Sequence, residues 1–331
     1  MSDSKSSLRV VFLDAQTFDR GDVAFARFEK RWSCTFHRLS LKPETAGRLA
    51  GFQVAISNKV LLDAEILSRP EAQDLKLIAV AATGTNNVDL EAAKKRGLAV
   101  CNVKGYSTPS VAQHTFALLL ELATHVGRFS EDIKDGAWEK SPIFTLLTYP
   151  CVELAGKTLG LIGFGDIGKQ VARIAEGFGM KVIVAGRKGE APKSGGTPTR
   201  VAFDDLLKNA DVISLHCPLT PDTKNLLGSR EFKLMKRSAL LLNVSRGGLV
   251  DETALIAALD EKLIAGAGFD VLTQEPPPPE HLLVKAARGR DNLIITPHSA
   301  WAAVESRQRL LDEVFENISA FEAGQTRNRI V

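Results

Sequence analysis

The fold of this chain is decided by one stretch, "TLGLIGFGDIGKQVARIAEGFG", which runs from Thr158 to Gly179. It starts with a short apolar run typical of a buried strand. It continues as glycine–x–glycine–x–x–glycine at Gly163, Gly165 and Gly168, and it ends in an amphipathic helical pattern. A strand, a glycine turn and a helix in this order are typical of a dinucleotide-binding unit.

Each glycine of this turn has its own physical reason. The first allows a tight turn, the second lets the backbone approach a pyrophosphate, and the third lets the helix pack close to the strand. The helix N-terminus then offers free N–H groups and a positive dipole end to phosphate. The alternative is a glycine turn needed only for packing. We expect the whole motif to contact the cofactor, namely Gly163, Phe164, Gly165, Asp166, Ile167 and Gly168.

The stretch "VIVAGRKG", from Val182 to Gly189, indicates which cofactor is bound. An acid that reads the ribose is expected about 20 residues after the first glycine of the motif, at the end of the next strand. Gly186 stands there instead, followed by Arg187 and Lys188. A carboxylate would repel a 2′-phosphate, whereas these two cations can bind one. We therefore predict that NADP(H) is preferred and that NAD(H) is possible; the alternative is a solvated basic turn.

The rest of the chain alternates β-branched runs with amphipathic stretches, which is typical of parallel sheets covered on both faces. We expect an α/β protein with two doubly wound domains, one a Rossmann nucleotide domain and one a flavodoxin-like domain. Helices are expected at Asp89–Arg96, from about Pro109 to Asp135 and at about Ala302–Ala323, and the prolines of "QEPPPPEH" predict a loop. The predicted strands are Val10–Leu13, Thr35–Leu39, Val54–Ser57, Leu77–Ala81, Ala99–Asn102, Thr158–Ile162, Val182–Ala185, Val212–His216, Ala239–Asn243, Gly266–Val271 and Leu293–Thr296.

Bulk composition excludes several classes of protein. The chain has 331 residues, which favours two domains, and its formal net charge of +3 gives no reason to expect nucleic acid or an anionic membrane as partner. Its four cysteines are far apart with no C-x-x-C, so we expect free thiols in the cytoplasm rather than disulfides or a zinc site. The first apolar run, Val10–Leu13, is too short for a signal peptide or a membrane span.

Three later segments each start at the end of a predicted strand, the edge where open α/β sheets bind ligands. They are "LLNVSRGGLVDETAL", "AGFDVLTQEPPPP" and "ITPHSAW", and they contribute Arg246, Glu275 and His298. Taken singly, each residue has an ordinary alternative. Arg246 could form a structural ion pair, His298 could be a core histidine, and Glu275 could be a solvated loop acid.

Together with the glycine motif, these segments resemble the D-isomer-specific 2-hydroxyacid dehydrogenase family over nearly the whole chain, from about Val10 to Phe321. The segments "SNKV", "ATGTNNVDLEAAKKRG", "NVKGYSTPSVAQHT", "WEKSPIF" and "VELAGKTLGLIGFGDIG" are similar to its glycerate dehydrogenase and hydroxypyruvate reductase branch. Two positions depart from the family pattern. Gly186 replaces the acid of NADH-dependent members, and Lys104 stands where a small or apolar residue is expected, with no evident role.

The resemblance implies that Arg246 holds the substrate carboxylate, that His298 is the acid–base group and that Glu275 pairs with it. Chemistry supports the same roles. Reducing a 2-keto acid requires a hydride on one face of the carbonyl and a proton on its oxygen. Histidine can give and take that proton near neutral pH. A nearby carboxylate favours imidazolium, and arginine binds a carboxylate through two parallel hydrogen bonds. No metal is needed.

Further contacts follow from the resemblance. The loop from Ala82 to Asn87 matches the family's substrate loop, where the amides of Thr83 and Gly84 would bind the carboxylate alongside Arg246. Trp301 could shape the substrate pocket, although a packing role fits equally well. His114 and His125 lie in the long apolar helix and are interpreted as structural. Additional cofactor contacts are expected from His216, Pro218, Val244, Asp270 and Thr108.

These observations predict an enzyme that reduces a short 2-keto acid, hydroxypyruvate or glyoxylate, to the D-2-hydroxy acid and catalyses the reverse oxidation. Residues 1–107 plus 298–331 are expected to form the substrate domain and residues 108–297 the NAD(P)-binding domain, with the cofactor in the cleft. The apolar helix Pro109–Leu122 is compatible with the family's homodimer. Two alternatives stay open: a dehydrogenase for a bulkier 2-hydroxy acid, and an NAD(H)-sensing corepressor-like binding protein.

Overall fold

A computed structural model describes residues 8–191 and 198–331 of the chain. The residues separate into two compact units. Unit 1 comprises the chain up to Ser107 together with Ala302–Val331, and unit 2 comprises Thr108–Trp301. Each unit is built around its own parallel sheet.

From residue 8 onwards, where the structure describes it, the N-terminal part of unit 1 alternates five strands with four α-helices. In chain order they are β1 (Arg9–Phe12), α1 (Ala26–Arg31), β2 (Ser33–Phe36), α2 (Lys42–Leu49), β3 (Val54–Ser57), α3 (Ala64–Ser68), β4 (Leu77–Val80), α4 (Leu90–Lys95) and β5 (Ala99–Cys101).

Unit 2 contains seven strands and seven helices among its described residues. They are α5 (Thr108–Thr124), α6 (Val126–Lys134), β6 (Thr158–Ile162), α7 (Asp166–Gly177), β7 (Lys181–Ala185), β8 (Thr199–Val201), α8 (Phe203–Asn209), β9 (Val212–Leu215), α9 (Ser229–Leu234), β10 (Leu240–Asn243), α10 (Glu252–Asp260), β11 (Gly266–Phe269), α11 (Leu282–Ala287) and β12 (Leu293–Ile295). The chain then returns to unit 1 as α12 (Val304–Glu322).

The sheet of unit 1 has the strand order β2-β1-β3-β4-β5, and every pairing is parallel. Strands β3, β4 and β5 are buried along their whole length, as expected for a parallel sheet covered on both faces. Helix α12 covers part of this sheet and packs against β4. Residues from both ends of the chain therefore build one core.

The sheet of unit 2 has the order β12-β11-β10-β9-β6-β7-β8, also parallel throughout. Helix α5 packs on α7, β10 and β11, and its apolar residues join the core beside β6. Because all strands point the same way, their carboxyl ends lie along one edge. The α/β class with two parallel sheets is confirmed.

The structure differs from the sequence-based expectations most clearly in four places. Strand β2 is Ser33–Phe36 rather than Thr35–Leu39. The helix predicted from Pro109 to Asp135 is two helices, because His125 adopts left-handed backbone (φ 53°) and the Glu121 carboxylate accepts the Gly127 amide at 3.0 Å. Strand β8 was not predicted. Residues 298–301 lie in unit 2 rather than in the C-terminal segment of unit 1, because the amides of residues 298–300 donate to Asp270 and the Trp301 indole donates to the His298 carbonyl. No helix of the described residues is long and apolar enough to span a membrane.

Candidate active site

The glycine turn follows β6 and opens α7. Gly163 has φ 99°, and a Cβ there would lie 2.5 Å from the His216 carbonyl group. At Gly168 a Cβ would lie 2.6 Å from the Gly163 carbonyl oxygen. Both positions must be glycine for packing. Gly165 is different, because nothing lies within 4 Å of an added Cβ. Packing does not explain Gly165, whereas open space beside the α7 N-terminus fits a pyrophosphate.

The turn after β7 carries the two cations predicted to select the cofactor. Gly186 donates its amide to the Val201 carbonyl at 2.8 Å, which joins the turn to β8. Arg187 is 86% exposed and has a single loose ion pair, 3.7 Å from Glu190, among the described residues. Its guanidinium can therefore reach a ligand. A 2′-phosphate in this position would meet a cation and no opposing acid at Gly186.

Lys188 is in a different situation from Arg187. Its ammonium lies 2.9 Å from Glu231, whose side chain is only 5% exposed, and donates to the Leu226 carbonyl at 3.1 Å. Arg230 also pairs with Glu231, at 3.0 Å. The charge of Lys188 thus has a structural partner that the sequence did not indicate. Its predicted contact with a phosphate remains a prediction.

His216 follows β9 beside the glycine turn. Its Nε2 lies 2.8 Å from the Ser214 hydroxyl. Burial lowers the pKa of His216 to about 4. The imidazole is therefore neutral at pH 7, and its backbone forms the surface on which Gly163 packs.

This shift predicts a loss of stability on acidification. A histidine whose pKa is depressed by folding contributes stability fully above about pH 6.5, and that contribution is lost as the pH falls towards 4. At pH 5 the loss is about 2 kcal/mol. Urea unfolding at pH 7 and pH 5 measures the free energy of unfolding. The His216 contribution to the difference between the two pH values should be absent in His216→Gln, which can keep the hydrogen bond to Ser214. An identical pH dependence in both proteins would contradict it.

The turn after β10 carries Arg246. The buried Asn243 side chain accepts the Ser245 amide at 3.1 Å and donates to the Arg246 carbonyl at 2.9 Å, so it holds both ends of the turn. At Gly247 an added Cβ would collide with the backbone of Leu272. The Arg246 turn is therefore packed directly against the loop that leads to Glu275.

The Arg246 side chain itself is exposed, and one Nη donates to the Ser245 carbonyl at 2.7 Å. It forms no ion pair with any residue in the two described ranges. The remaining N–H groups can therefore form a planar fork for a carboxylate. The alternative role of Arg246, a purely structural ion pair, is therefore not observed among the described residues.

Glu275 and His298 form a direct pair. The Nδ1 atom of His298 lies 2.6 Å from one carboxylate oxygen of Glu275. The other oxygen accepts the Leu272 amide at 2.8 Å, which fixes the carboxylate. The Nε2 atom of His298 has no protein partner among the described residues, and the side chain is 32% exposed. The ring can thus exchange a proton at Nε2 while Glu275 stabilises its charged form.

The backbone of His298 is left-handed, with φ 51°. A non-glycine residue in this region costs on the order of 1–3 kcal/mol, which the surroundings must offset. The His298 amide donates to the Asp270 carbonyl at 2.8 Å, and the His298 carbonyl accepts the Trp301 indole at 2.9 Å. These contacts fix the ring position.

Asp270 supports the same turn with its side chain. It is 1% exposed, and its carboxylate accepts the amides of Ser299 and Ala300, each at 2.9 Å. The Thr296 hydroxyl donates at 2.6 Å, and His114 lies 3.4 Å away. Burial alone would raise the pKa of Asp270, but these hydrogen bonds together lower it. The carboxylate is therefore ionised, and in the structure it stabilises the turn at residues 298–300.

The remaining predicted contacts of unit 2 have the following positions. Trp301 is half-buried and holds the His298 turn, which supports the packing role considered for it. Val244 is buried in the core. Pro218 is exposed beyond the carboxyl end of β9, and its carbonyl accepts the Thr223 hydroxyl at 2.8 Å. Thr108 is the first residue of α5. The cofactor contacts of Val244, Pro218 and Thr108 remain predictions, as does the contact of Trp301 with the substrate.

In unit 1 the predicted substrate loop follows β4. The Asn102 side chain donates to the Thr83 carbonyl at 2.7 Å, and the Thr83 hydroxyl donates to the Val103 carbonyl at 2.7 Å. Neither the Thr83 nor the Gly84 amide donates to a protein group within residues 8–191 and 198–331. Both amides are therefore available, and their binding of a substrate carboxylate remains a prediction.

Some supporting residues were missed by sequence reasoning. Asn243 precedes Arg246 in "NVSRGG", and an asparagine at a strand end is the only local signal for it. The structural role predicted for His114 takes a form that the sequence did not specify, because its Nε2 lies 2.8 Å from the Thr296 hydroxyl, which donates to Asp270. Glu231 lies far from Lys188 in the sequence, so their pairing had no local signal.

Comparison with known proteins agrees with this geometry. Residues 116–300 match the family profile described as D-isomer specific 2-hydroxyacid dehydrogenase, NAD binding domain. A glycerate dehydrogenase of Methylorubrum extorquens is 42% identical, with 97% of this chain and 98% of that protein covered. A hydroxypyruvate reductase of Blautia hydrogenotrophica is 36% identical, with 97% and 99% covered.

A solved structure, an acyclic imino acid reductase in complex with NADPH and D-Arg, has a TM-score of 0.82 and 30% identity. It covers 98% of this chain and 100% of that one. A nicotinamide cofactor therefore fits both the comparisons and the glycine turn after β6. The chain belongs to the D-isomer-specific 2-hydroxyacid dehydrogenase family.

Proposed function

We propose that this protein uses NADPH to reduce a short 2-keto acid, hydroxypyruvate or glyoxylate, to the D-2-hydroxy acid, and that it catalyses the reverse oxidation. One observation carries the proposal. His298 is paired through Nδ1 with Glu275 at 2.6 Å and leaves Nε2 open. It follows β12, two strands from the β10 end that carries Arg246.

Arg246 binds the substrate carboxylate through two parallel hydrogen bonds, which orients the neighbouring carbonyl. His298 donates the proton from Nε2 to the carbonyl oxygen as that oxygen gains negative charge. Glu275 stabilises the imidazolium before this transfer and keeps the ring in one orientation. When bound, the nicotinamide cofactor supplies the hydride. In the oxidation, Nε2 accepts the proton from the hydroxyl group.

The preference for NADPH is supported by the turn after β7. Gly186 carries no charge that would repel a 2′-phosphate, and the Arg187 guanidinium is exposed beside it. A relative of similar fold was solved with NADPH. Lys188 has the smaller role, because Glu231 already neutralises it.

Arg187→Ala is expected to weaken NADPH binding by about 1–3 kcal/mol, the range for charge-assisted hydrogen bonds, with little effect on NADH. Fluorescence titration of both cofactors measures this. Lys188→Ala is the matched control. It should lower the free energy of unfolding, because Glu231 loses a partner, and change NADPH affinity less than Arg187→Ala does. An equal loss of NADPH and NADH in Arg187→Ala would contradict phosphate recognition.

The proposed homodimer has two candidate surfaces. On α5 most apolar residues are buried inside unit 2, although Ala117 is exposed and Leu120 is half-buried. Large exposed apolar side chains lie further along the chain, where Phe144 is 90% exposed and Leu147 is 82% exposed. An exposed apolar patch of this kind is typical of a protein–protein interface. We assign the dimer contact to this segment; a monomer in sedimentation velocity would contradict it.

The substrate class is tested with a panel of 2-keto acids. We expect hydroxypyruvate and glyoxylate to give higher kcat/KM than bulky keto acids such as phenylpyruvate, and the product of hydroxypyruvate to be D-glycerate. Preference for the bulky acids would replace the proposed substrate class. Absence of turnover with every keto acid would contradict the enzymatic proposal itself.

A further inference from the structure

Unit 1 contains a cavity of about 300 Å³ that is separate from the substrate loop after β4. One wall is the segment that follows β5, with Lys104 and Tyr106. The other walls come from α12 and from the chain beyond it. The charged residues that line it are Lys104, Arg309, Asp312, Glu313 and Arg327.

The charges of this cavity do not cancel. Arg327 pairs with Glu313 at 2.6 Å, and Asp312 lies 3.6 Å from Arg27. Lys104 and Arg309 form no ion pair with any residue that the structure describes. Three cations thus line the cavity against two carboxylates, and each of those carboxylates already has an arginine partner. The open positive charge belongs to Lys104 and Arg309.

The walls are held in place by hydrogen bonds. The Tyr106 carbonyl accepts the Arg309 Nε at 3.0 Å and the buried Ser306 hydroxyl at 3.3 Å. Arg309 is thereby anchored through Nε, and its two terminal nitrogens remain available. On the opposite wall, the Asn328 side chain donates to the Asn317 side chain at 3.0 Å, and the Asn328 backbone carbonyl accepts the Asn102 backbone amide at 3.2 Å. The site needs little rearrangement to receive a ligand.

We propose that this cavity binds a small polyanion, an organic phosphate or a polycarboxylate, through Lys104, Arg309 and Arg327. Its volume is at the small end of the range for ligand pockets, about 300–1,000 Å³. A ligand with two or more negative charges matches two open cations and can share Arg327 with Glu313. The site gives a role to Lys104, whose charge the sequence alone does not account for. It does not depend on the proposed function.

The test is isothermal titration of the full-length protein with inorganic phosphate and, separately, with citrate. The titration is carried out at constant ionic strength and with saturating NADPH, which occupies the phosphate sites of the cofactor. The expected result is saturable binding that Lys104→Gln weakens by about tenfold or more, the effect of one lost charge-assisted hydrogen bond. Tighter binding of phosphate or of citrate assigns the ligand to one of the two chemical sources.

Two control variants distinguish binding in the cavity from binding elsewhere on the protein. Lys94→Gln makes the same change at an exposed residue of α4 outside the cavity and should leave affinity within about twofold of the parent. Arg246→Ala should also retain phosphate binding. The proposal is overturned if the parent shows no saturable binding or if Lys104→Gln binds as the parent does. It is equally overturned if Arg246→Ala abolishes binding, because the anion would then occupy the substrate carboxylate site.

Discussion

His298→Ala is expected to lower kcat for 2-keto acid reduction by about 10²–10⁴-fold, the usual contribution of a positioned acid–base group. The physical reason is that Nε2 of His298 is the open nitrogen of a ring held by Glu275 at 2.6 Å. The affinity for NADPH should stay within about twofold, since the glycine turn and Arg187 belong to other strand ends. Steady-state kinetics and a cofactor titration on the same preparation measure both effects.

Glu275→Gln is the companion variant. The amide can keep a hydrogen bond to His298 Nδ1 but carries no charge, so the imidazolium is less stabilised. The kcat for 2-keto acid reduction should therefore be lower than in the parent, while NADPH affinity is retained. Full activity of His298→Ala would remove this residue as the proton donor. An unchanged kcat in Glu275→Gln would leave Glu275 with a structural role only.

Arg246→Ala is expected to lower kcat/KM for hydroxypyruvate by about 100-fold or more, because it removes two charge-assisted hydrogen bonds to the substrate carboxylate. Arg246→Lys keeps the charge but loses the planar fork, and an intermediate value is expected. NADPH affinity should not change in either variant. Near-normal kcat/KM in Arg246→Ala would show that another group holds the carboxylate.

Much of the fold could be predicted because periodicity and burial are local signals. The strands Val54–Ser57 and Thr158–Ile162 have the predicted bounds, since each is an apolar run between polar or glycine residues. The break at His125 could not be predicted, because apolar residues at helical spacing continue beyond it at Val126, Phe129 and Ile133 and the cause is one left-handed residue. The short strand Thr199–Val201 is partly exposed at a sheet edge and lacks an apolar pattern.

The candidate site likewise contains some contacts that could be predicted from the sequence and others that could not. The pairing of Glu275 with His298 was predicted from the residues and from the family resemblance. The pairing of Lys188 with Glu231 was not predicted, because the buried Glu231 lies on α9, far along the chain from the turn after β7. The cofactor contact expected for Asp270 stays a prediction, and the hold of its carboxylate on the Ser299 and Ala300 amides had no local signal in the sequence. Tertiary contacts, rather than local pattern, decide such roles.

The proposed NADPH-dependent reduction of a short 2-keto acid can be measured as kcat/KM for hydroxypyruvate with NADPH and with NADH on the same purified protein. We expect turnover with both cofactors and a clear preference for NADPH, because Arg187 meets a 2′-phosphate where Gly186 offers no opposing charge. A preference for NADH would contradict it, since the "GRKG" turn would then be a solvated basic loop and another group would have to recognise the ribose.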